Sequence, residues 1–333
     1  MKIRSLIFVL FCFTACARSE KYVVVDGAML GTTYHIIAKT ALPVDSIRRS
    51  VSSIDKKMKA SMSIFDDSSL LASINRNEKD CLDEHLLYNI SQARRYYELS
   101  QGKYDITIKP LTDLYGFSGK DSFSASVDSI LEFVGMNHIR IDGKHILKDD
   151  PRVQIDLNSI AKGYTVDVIA NMLEEWQVEN YIVEVGGEIR LKGLNSKSKS
   201  WSIAVDTPYE GNETPGQSRQ CTLFLKSGSV ATSGNYRRFK VDASGNKIVH
   251  TLNPKSGKSV CSSLLSATVL APRCADADAM ATMFMAMGAD DAHLLAERMR
   301  DSVKVYFIIS SKTSDREFEI YSTLDNETYT DSL

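Results

Sequence analysis

Little in this 333-residue chain stands in excess, and each shortage removes a class of protein. Lysine and arginine number 40 against 42 acids, a formal charge of −2, so the basic surplus of a dedicated nucleic-acid binder is missing. No apolar run reaches the ~20 residues of a membrane-spanning helix, which excludes a multi-span membrane protein. There is no internal repeat, no low-complexity tract and no Gly-X-Y period, with only 18 glycines and 7 prolines. Six cysteines include no C-x-x-C pair, so zinc-site spacing and a thioredoxin-like motif are both absent. The Walker and Rossmann glycine patterns are absent too. What remains, 43% hydrophobic and 25% charged, is an ordinary globular composition with enough residues for one large domain or two.

The N-terminus reads as a targeting segment. Lys2 and Arg4 precede the run Leu6-Ile7-Phe8-Val9-Leu10-Phe11, and Phe13-Thr14-Ala15-Cys16 follows. Small residues leading into a cysteine directly after an apolar region resemble a bacterial lipobox. Residues 1–15 are thus expected to be a lipoprotein signal peptide and 16–333 one domain, exported and lipid-anchored at Cys16, facing the periplasm or cell exterior. Several acyl chains hold a protein firmly where one is marginal. Cleavage also removes two positive charges and no acid, leaving a more acidic chain. Cys12 leaves with the signal, and Cys81, Cys221, Cys261 and Cys274 read as buried free thiols.

Periodicity places the elements. Strand-like Tyr22-Val23-Val24-Val25 leads to Met29-Leu30-Gly31-Thr32-Thr33-Tyr34. Ile47, Val51, Ile54 and Met58 fall at helical spacing, as do Leu86, Ile90, Ala93 and Tyr97 before Gly102. A hairpin is expected around Asp142-Gly143, a strand over 153–157, and a helix over 159–176. Strands are predicted at 181–185, 189–192, 202–205, 221–225, 238–241 and 264–270. A helix over 275–287, another from Asp290, and strands at 303–309 and 317–323 close the chain. The least structured piece is 195–216, around the 202–205 strand. Hairpins mixed among helices without a strict period make this an α+β protein.

Four segments carry possible chemistry. In the run from Asp156 to Asp167, a polar strand end enters a helix through small residues. Free N–H groups there suit an anion, with Lys162 adding charge and Asp156 or Asn158 bonding a ring or ribose. Taken alone, the segment reads equally as a plain helix start capped by Asn158 or Ser159. Val185-Gly186-Gly187-Glu188 is turn language between strands. Val230 to Phe239 holds Thr232 and Ser233, and His250-Thr251-Leu252-Asn253-Pro254-Lys255-Ser256-Gly257 places a histidine before a polar turn, close enough in sequence to share a loop system. In Asp276-Ala277-Asp278-Ala279-Met280-Ala281-Thr282, a carboxylate and a hydroxyl four apart share a helix face with alanines around them. Such oxygens suit a hard cation such as Mg²⁺. Helix capping by Asp276 and dipole pairing by Asp278 would explain the same residues.

Together with Met62-Ser63-Ile64-Phe65-Asp66 and Gly102-Lys103-Tyr104-Asp105-Ile106-Thr107 (with Pro110-Leu111), these segments stand in the order of one family. The chain resembles the ApbE-type FAD:protein FMN transferases, flavin-trafficking lipoproteins, over nearly its whole mature length. The resemblance implies an ApbE-like, T-fold-like unit of two associated subdomains, mixed or antiparallel sheets packed by helices, and flavin in the cleft between. It implies FAD as substrate, Mg²⁺ as cofactor, transfer of FMN to a Thr or Ser hydroxyl of a partner protein, and release of AMP. Family acceptors are membrane electron-transfer proteins or flavin-carrying domains. Carried over by residue, Asp278, Thr282 and the Ala161 carbonyl hold the metal. Met29, Phe65 and Tyr104 pack against flat rings, while Lys103, Asp105, Asp156, Asn158 and Lys162 address polar edges or phosphates. Gly186, Gly187, Thr232, Ser233, His250 and Leu252 complete the FAD site, and His250 handles the proton of the acceptor hydroxyl.

Four positions depart from many relatives. Asn253 replaces an acid and Ser256 a threonine, Ala281 stands where some carry a second acid, and Phe65 replaces a tyrosine. A single metal ion is therefore expected. The rival readings are an FAD pyrophosphatase giving FMN and AMP, a non-catalytic flavin-binding lipoprotein, and a solute-binding lipoprotein.

Overall fold

The computed structural model describes residues 19–117, 126–209, 217–235, 239–241, 247–260, 262–311 and 317–331. Cys12, Cys16, Cys261, the signal segment and Tyr236, Arg237 and Arg238 of the third segment lie outside them. The chain opens with the hairpin β1 (Lys21–Met29) and β2 (Thr32–Thr40). Five helices follow: α1 (Val44–Met62), α2 (Leu70–Asn75), α3 (Glu84–Leu99), α4 (Lys109–Leu114) and α5 (Val127–Leu131). A small hairpin, β3 (Ile139–Asp142) and β4 (His145–Lys148), precedes α6 (Ala161–Glu175). Then come β5 (Tyr181–Val185), β6 (Glu188–Lys192), β7 (Trp201–Asp206), β8 (Arg219–Leu225) and β9 (Ser227–Gly234). The chain continues through β10 (Phe239–Val241), β11 (Lys247–Val249), β12 (Leu264–Ala271), α7 (Cys274–Met287) and α8 (Ala289–Met299). Strands β13 (Lys304–Ser310), β14 (Phe318–Ser322) and β15 (Tyr329–Asp331) end it.

Eight strands form one sheet in the order β1-β2-β5-β6-β9-β12-β13-β14, every neighbouring pair antiparallel. Alternation assigns its faces. On β13, Val305 and Phe307 enter the core beneath the helices. Tyr306 and Ile308 of the same strand face a second core shared with β7 and β8, which form a three-stranded sheet in the order β15-β8-β7. The order is helices, large sheet, small sheet, an α+β layering. The two-part organisation lies in the cores on the helix side. One core joins β1, β2 and β5 to α1 and α6; the other gathers α2, α3 and α7 over β12 and β13. No helix among the described residues is long and apolar enough to cross a membrane.

Three expectations are corrected. Residues 153–157 do not form a strand: Gln154 makes only an isolated bridge to Ile108. The Asn75 side chain instead donates to the Ile155 carbonyl (2.9 Å) and accepts its N–H (2.7 Å), doing by amide what a neighbouring strand would do by backbone. The segment at 230–234, read as loop, is the end of β9, an interior strand of the large sheet between β6 and β12. Its sequence, Ser-Gly-Ser-Val-Ala-Thr-Ser-Gly, carries little apolar signal because its pairing, not its side chains, holds it. Cys221 and Cys274 are buried free thiols, whereas Cys81 is exposed, on an isolated bridge to His145 ahead of α3.

Candidate active site

The site is built where the first turns of α6 and α7 meet. Neither helix is capped by its own N-cap side chain. Each is capped by the other: Asp278 of α7 accepts the Gly163 N–H (2.9 Å), and Asp167 of α6 accepts the N–H groups of Cys274 and Ala275 (2.9 Å each). Capping at this point accounts for neither Asn158, which is exposed, nor Ser159, whose hydroxyl pairs with Tyr104 Oη at 2.8 Å. Only glycine permits this approach. A Cβ on Gly163 would lie 2.3 Å from the Cys274 carbonyl oxygen and 2.7 Å from Asp278 Cβ. Asp276, the other acid of the motif, accepts from Tyr96 Oη (2.5 Å) and Arg273 Nε (2.9 Å), and so has a structural partner set.

Around Asp278 the charges are concentrated. The Lys162 ammonium is ion-paired with Glu188 Oε1 and lies 3.9 Å from Asp278 Oδ1. Asp278 is 3% exposed and Glu188 5%. Glu188 Oε2 is buried and accepts no hydrogen bond from any described residue, an arrangement that costs ~1–3 kcal/mol. Burial pushes the Asp278 carboxyl up to about 7, with Lys162 and the Gly163 N–H opposing and Glu188 reinforcing the rise. Burial raises Glu188 as well, against Lys162. Burial alone would lower the Lys162 ammonium, but Asp278 and Glu188 outweigh it and hold it protonated.

The remaining residues sort by what they touch. Thr282, one turn after Asp278, has Oγ1 3.2 Å from Ser233 Oγ at the end of β9. Thr232 Oγ1 pairs with Thr268 Oγ1 (2.9 Å) across the β9–β12 ladder. The Ala161 carbonyl accepts the Thr165 hydroxyl (2.7 Å) at the start of α6. Gly186 and Gly187 make the β5–β6 turn at φ +62° and +104°, and the Gly186 N–H reaches the Thr33 carbonyl beside the β1–β2 turn (3.0 Å). That turn delivers Glu188 as the first residue of β6. Thr251 Oγ1 donates to Asn235 Oδ1 (2.7 Å), tying the His250 loop to the end of β9, while His250 packs edge-on to Phe117 with centroids 6.5 Å apart. Leu252 is buried beside it. Asn253 Oδ1 accepts the Lys255 N–H (2.9 Å), so it closes the turn.

Tyr104 is buried near Asp156, and burial raises its phenol. Asp156 accepts the Asn158 N–H (2.8 Å), and burial raises its carboxyl. Asp105 spends its oxygens on Thr107 (N–H 2.7 Å, hydroxyl 2.6 Å) and the Met136 N–H (3.0 Å), which shapes its own loop. A cavity of about 240 Å³ lies beside it, bounded by Gly102, Pro254 and Lys255. Lys103 is engaged by Asp291 and, at 3.4 Å, by the Met287 carbonyl. Met29 is a core residue at 1% exposure, whereas Phe65 is 67% exposed. The sequence motifs named Glu188 without assigning it a task; the available signal was an acid directly after the paired glycines, on the same strand face as Arg190 and Lys192.

Residues 30–307 match the ApbE family. The chain belongs to it. A protein from Haemophilus influenzae named FAD:protein FMN transferase is 31% identical, covering 89% of this chain and 88% of its own length. Its namesake from Vibrio cholerae is 30% identical over 93% and 94%. The solved flavin transferase ApbE from Vibrio cholerae superposes with a TM-score of 0.79 at 29% identity, covering 91% of this chain and 97% of that one. An ApbE protein from Thermotoga maritima superposes at 0.78 with 25% identity, covering 91% and 97%.

Proposed function

We propose that this chain is a Mg²⁺-dependent FAD:protein FMN transferase, exported and lipid-anchored at Cys16. The carrying observation is the buried, underpartnered Asp278 carboxylate at the start of α6. A carboxylate at 3% exposure with its carboxyl pushed up to about 7 is short of positive charge. The Thr282 hydroxyl one turn on and the Ala161 carbonyl complete an all-oxygen donor set, which fits a hard divalent cation. Asp278, Thr282 and Ala161 would hold Mg²⁺. Bound there, it supplies neutralisation of the negative charge that builds on phosphoryl oxygens during displacement.

This chain's own residues do the rest. The Lys162 ammonium and the start of α6 face the pyrophosphate of FAD, while Tyr104 and Phe65 offer aromatic surface to its rings. Met29 supports the β1–β2 turn from within the core. A Thr or Ser hydroxyl of the acceptor protein attacks the FMN phosphorus, and the bond to the AMP oxygen breaks. His250 takes the hydroxyl proton, so that AMP leaves and FMN stays bound to the acceptor by a phosphoester. The acceptor is a membrane electron-transfer protein or a flavin-carrying domain.

The experiment is incubation of purified protein with FAD, Mg²⁺ and an acceptor bearing a Thr/Ser flavinylation site, read by fluorescence of the denatured acceptor. Covalent FMN with equimolar AMP is expected, lost with EDTA and restored by Mg²⁺ or Mn²⁺. Free FMN in its place would make the chain a pyrophosphatase. His250→Ala should keep FAD binding and lose about 10²–10⁴-fold of transfer. Cys16→Ser should leave transfer intact and remove the protein from the membrane fraction.

A further inference from the structure

We infer that Glu188 is a positioning residue that holds the Lys162 ammonium away from Asp278 and so keeps that carboxylate available to a divalent cation. The inference rests on the metal reading above and deepens it. Three elements converge here: Lys162 on α6, Glu188 on β6 and Asp278 on α7. Lys162 has two carboxylates within reach but is asymmetric between them. It is in direct contact with Glu188 Oε1 and stands 3.9 Å from Asp278 Oδ1. A half-buried ammonium between two buried carboxylates pairs with one of them, and the four-carbon lysine stem is flexible enough to cross a gap of that size. Asp278 Oδ2 is already committed to the Gly163 N–H, so Oδ1 is the oxygen that the lysine would take.

Glu188 is an unusual residue for its place. It follows the Gly186-Gly187 turn directly, is 5% exposed, and keeps Oε2 buried without a hydrogen bond from any described residue. Ile189 and Leu191 of β6 face the opposite core, while Glu188 shares its face with Arg190, and both side chains reach across to α6, Glu188 to Lys162 and Arg190 to Asp167. The carboxylate is therefore retained for its charge, and the charge is spent on Lys162. With Glu188 present, the ammonium rests on β6. Without it, Asp278 is the remaining acid against Lys162, and a lysine–aspartate pair would occupy the position meant for a cation.

The test is a Mn²⁺ titration of the protein without FAD, followed by loss of the free Mn²⁺ electron paramagnetic resonance signal. Glu188→Gln keeps the shape and removes the charge, and should weaken Mn²⁺ binding about 10–100-fold, as loss of an outer partner of a metal ligand does. Adding Lys162→Met should restore binding to within a few-fold of wild type, because the competing ammonium is gone. A purely structural role for Glu188 would show no such rescue. The double variant also replaces both members of the ion pair with neutral groups of similar size, which keeps the comparison open should Glu188→Gln fold poorly. Mn²⁺ binding unchanged in Glu188→Gln, or a double variant no tighter than the single one, overturns the inference. Asp278→Ala separates the two readings. If it abolishes Mn²⁺ binding while Glu188→Gln does not alter it, only the role of Glu188 falls. If it leaves Mn²⁺ binding intact, the metal assignment falls with it.

Discussion

Asp167 and Asp278 solve the same problem at opposite ends of one helix contact, and they end in different states. Each is a buried aspartate on one helix that caps the other. Asp167 accepts two N–H groups and the Arg190 guanidinium (2.9 Å), so its charge is fully matched. Burial still raises its carboxyl, with those three partners opposing. Asp278 accepts one N–H, and its second oxygen faces an ammonium that is held elsewhere. Where both oxygens are hydrogen-bonded and a cation is in direct contact, as at Asp167, the group is scaffold. Where one oxygen inside a protein stands off from its nearest cation, as at Asp278, it marks chemistry.

That contrast can be broken by mutation. Asp278→Ala should cost about 10²–10³-fold or more in flavin transfer while the protein still folds and binds FAD. Asp167→Ala should do the reverse. Stranding Arg190 and two N–H groups should cost about 3–5 kcal/mol in urea unfolding, with transfer per folded molecule nearly unchanged. A stable but inactive Asp167→Ala would exchange the two roles. Gly163→Ala tests the geometry common to both, since its Cβ must push α7 away. A loss of about 1–3 kcal/mol is expected, with a raised Mg²⁺ requirement as Asp278 is displaced.

The smallest effect is on pH. The Asp278 carboxyl is raised in the folded state relative to the unfolded chain, so the metal-free fold binds its proton more tightly. The corresponding stability is present at low pH and is lost as pH rises through about 7. The unfolding temperature of metal-free protein should therefore decline between weakly acid and weakly alkaline pH. Mg²⁺ binding should strengthen over the same range as proton competition ends. Asp278→Asn should flatten both trends, and a decline that persists in that variant would assign it to another group.

Most elements were legible because their side chains alternate or recur against a core. Ile47, Val51 and Met58 are buried on α1 as their spacing requires, and Tyr181–Val185 is an interior strand. Asp278 and Thr282 were legible as a helical pair, and the structure puts the first beside the start of α6 and the second beside the end of β9. Three features were not. β9 hides because pairing with two neighbours allows Ser, Gly and Thr in a central strand. The extended segment at 153–157 looks like a strand because Asn75 satisfies it as a strand would. The reciprocal caps hide because each joins residues more than 100 positions apart, and helix-start rules read only local neighbours.

The mutual caps also bear on how the chain acquires its shape. Gly163 and Asp278 are 115 residues apart, and Asp167 and Cys274 are 107. Neither helix start has a local side-chain cap to hold it while the other is missing. Formation of both first turns thus waits on one long-range encounter, whose loop-closure entropy is lost before any of its contacts form. Folding of the site should be late and all-or-none, and a chain ending before α7 should leave the start of α6 frayed even with the hairpin of β1 and β2 in place. The residues that perform the chemistry are then also the last to become ordered.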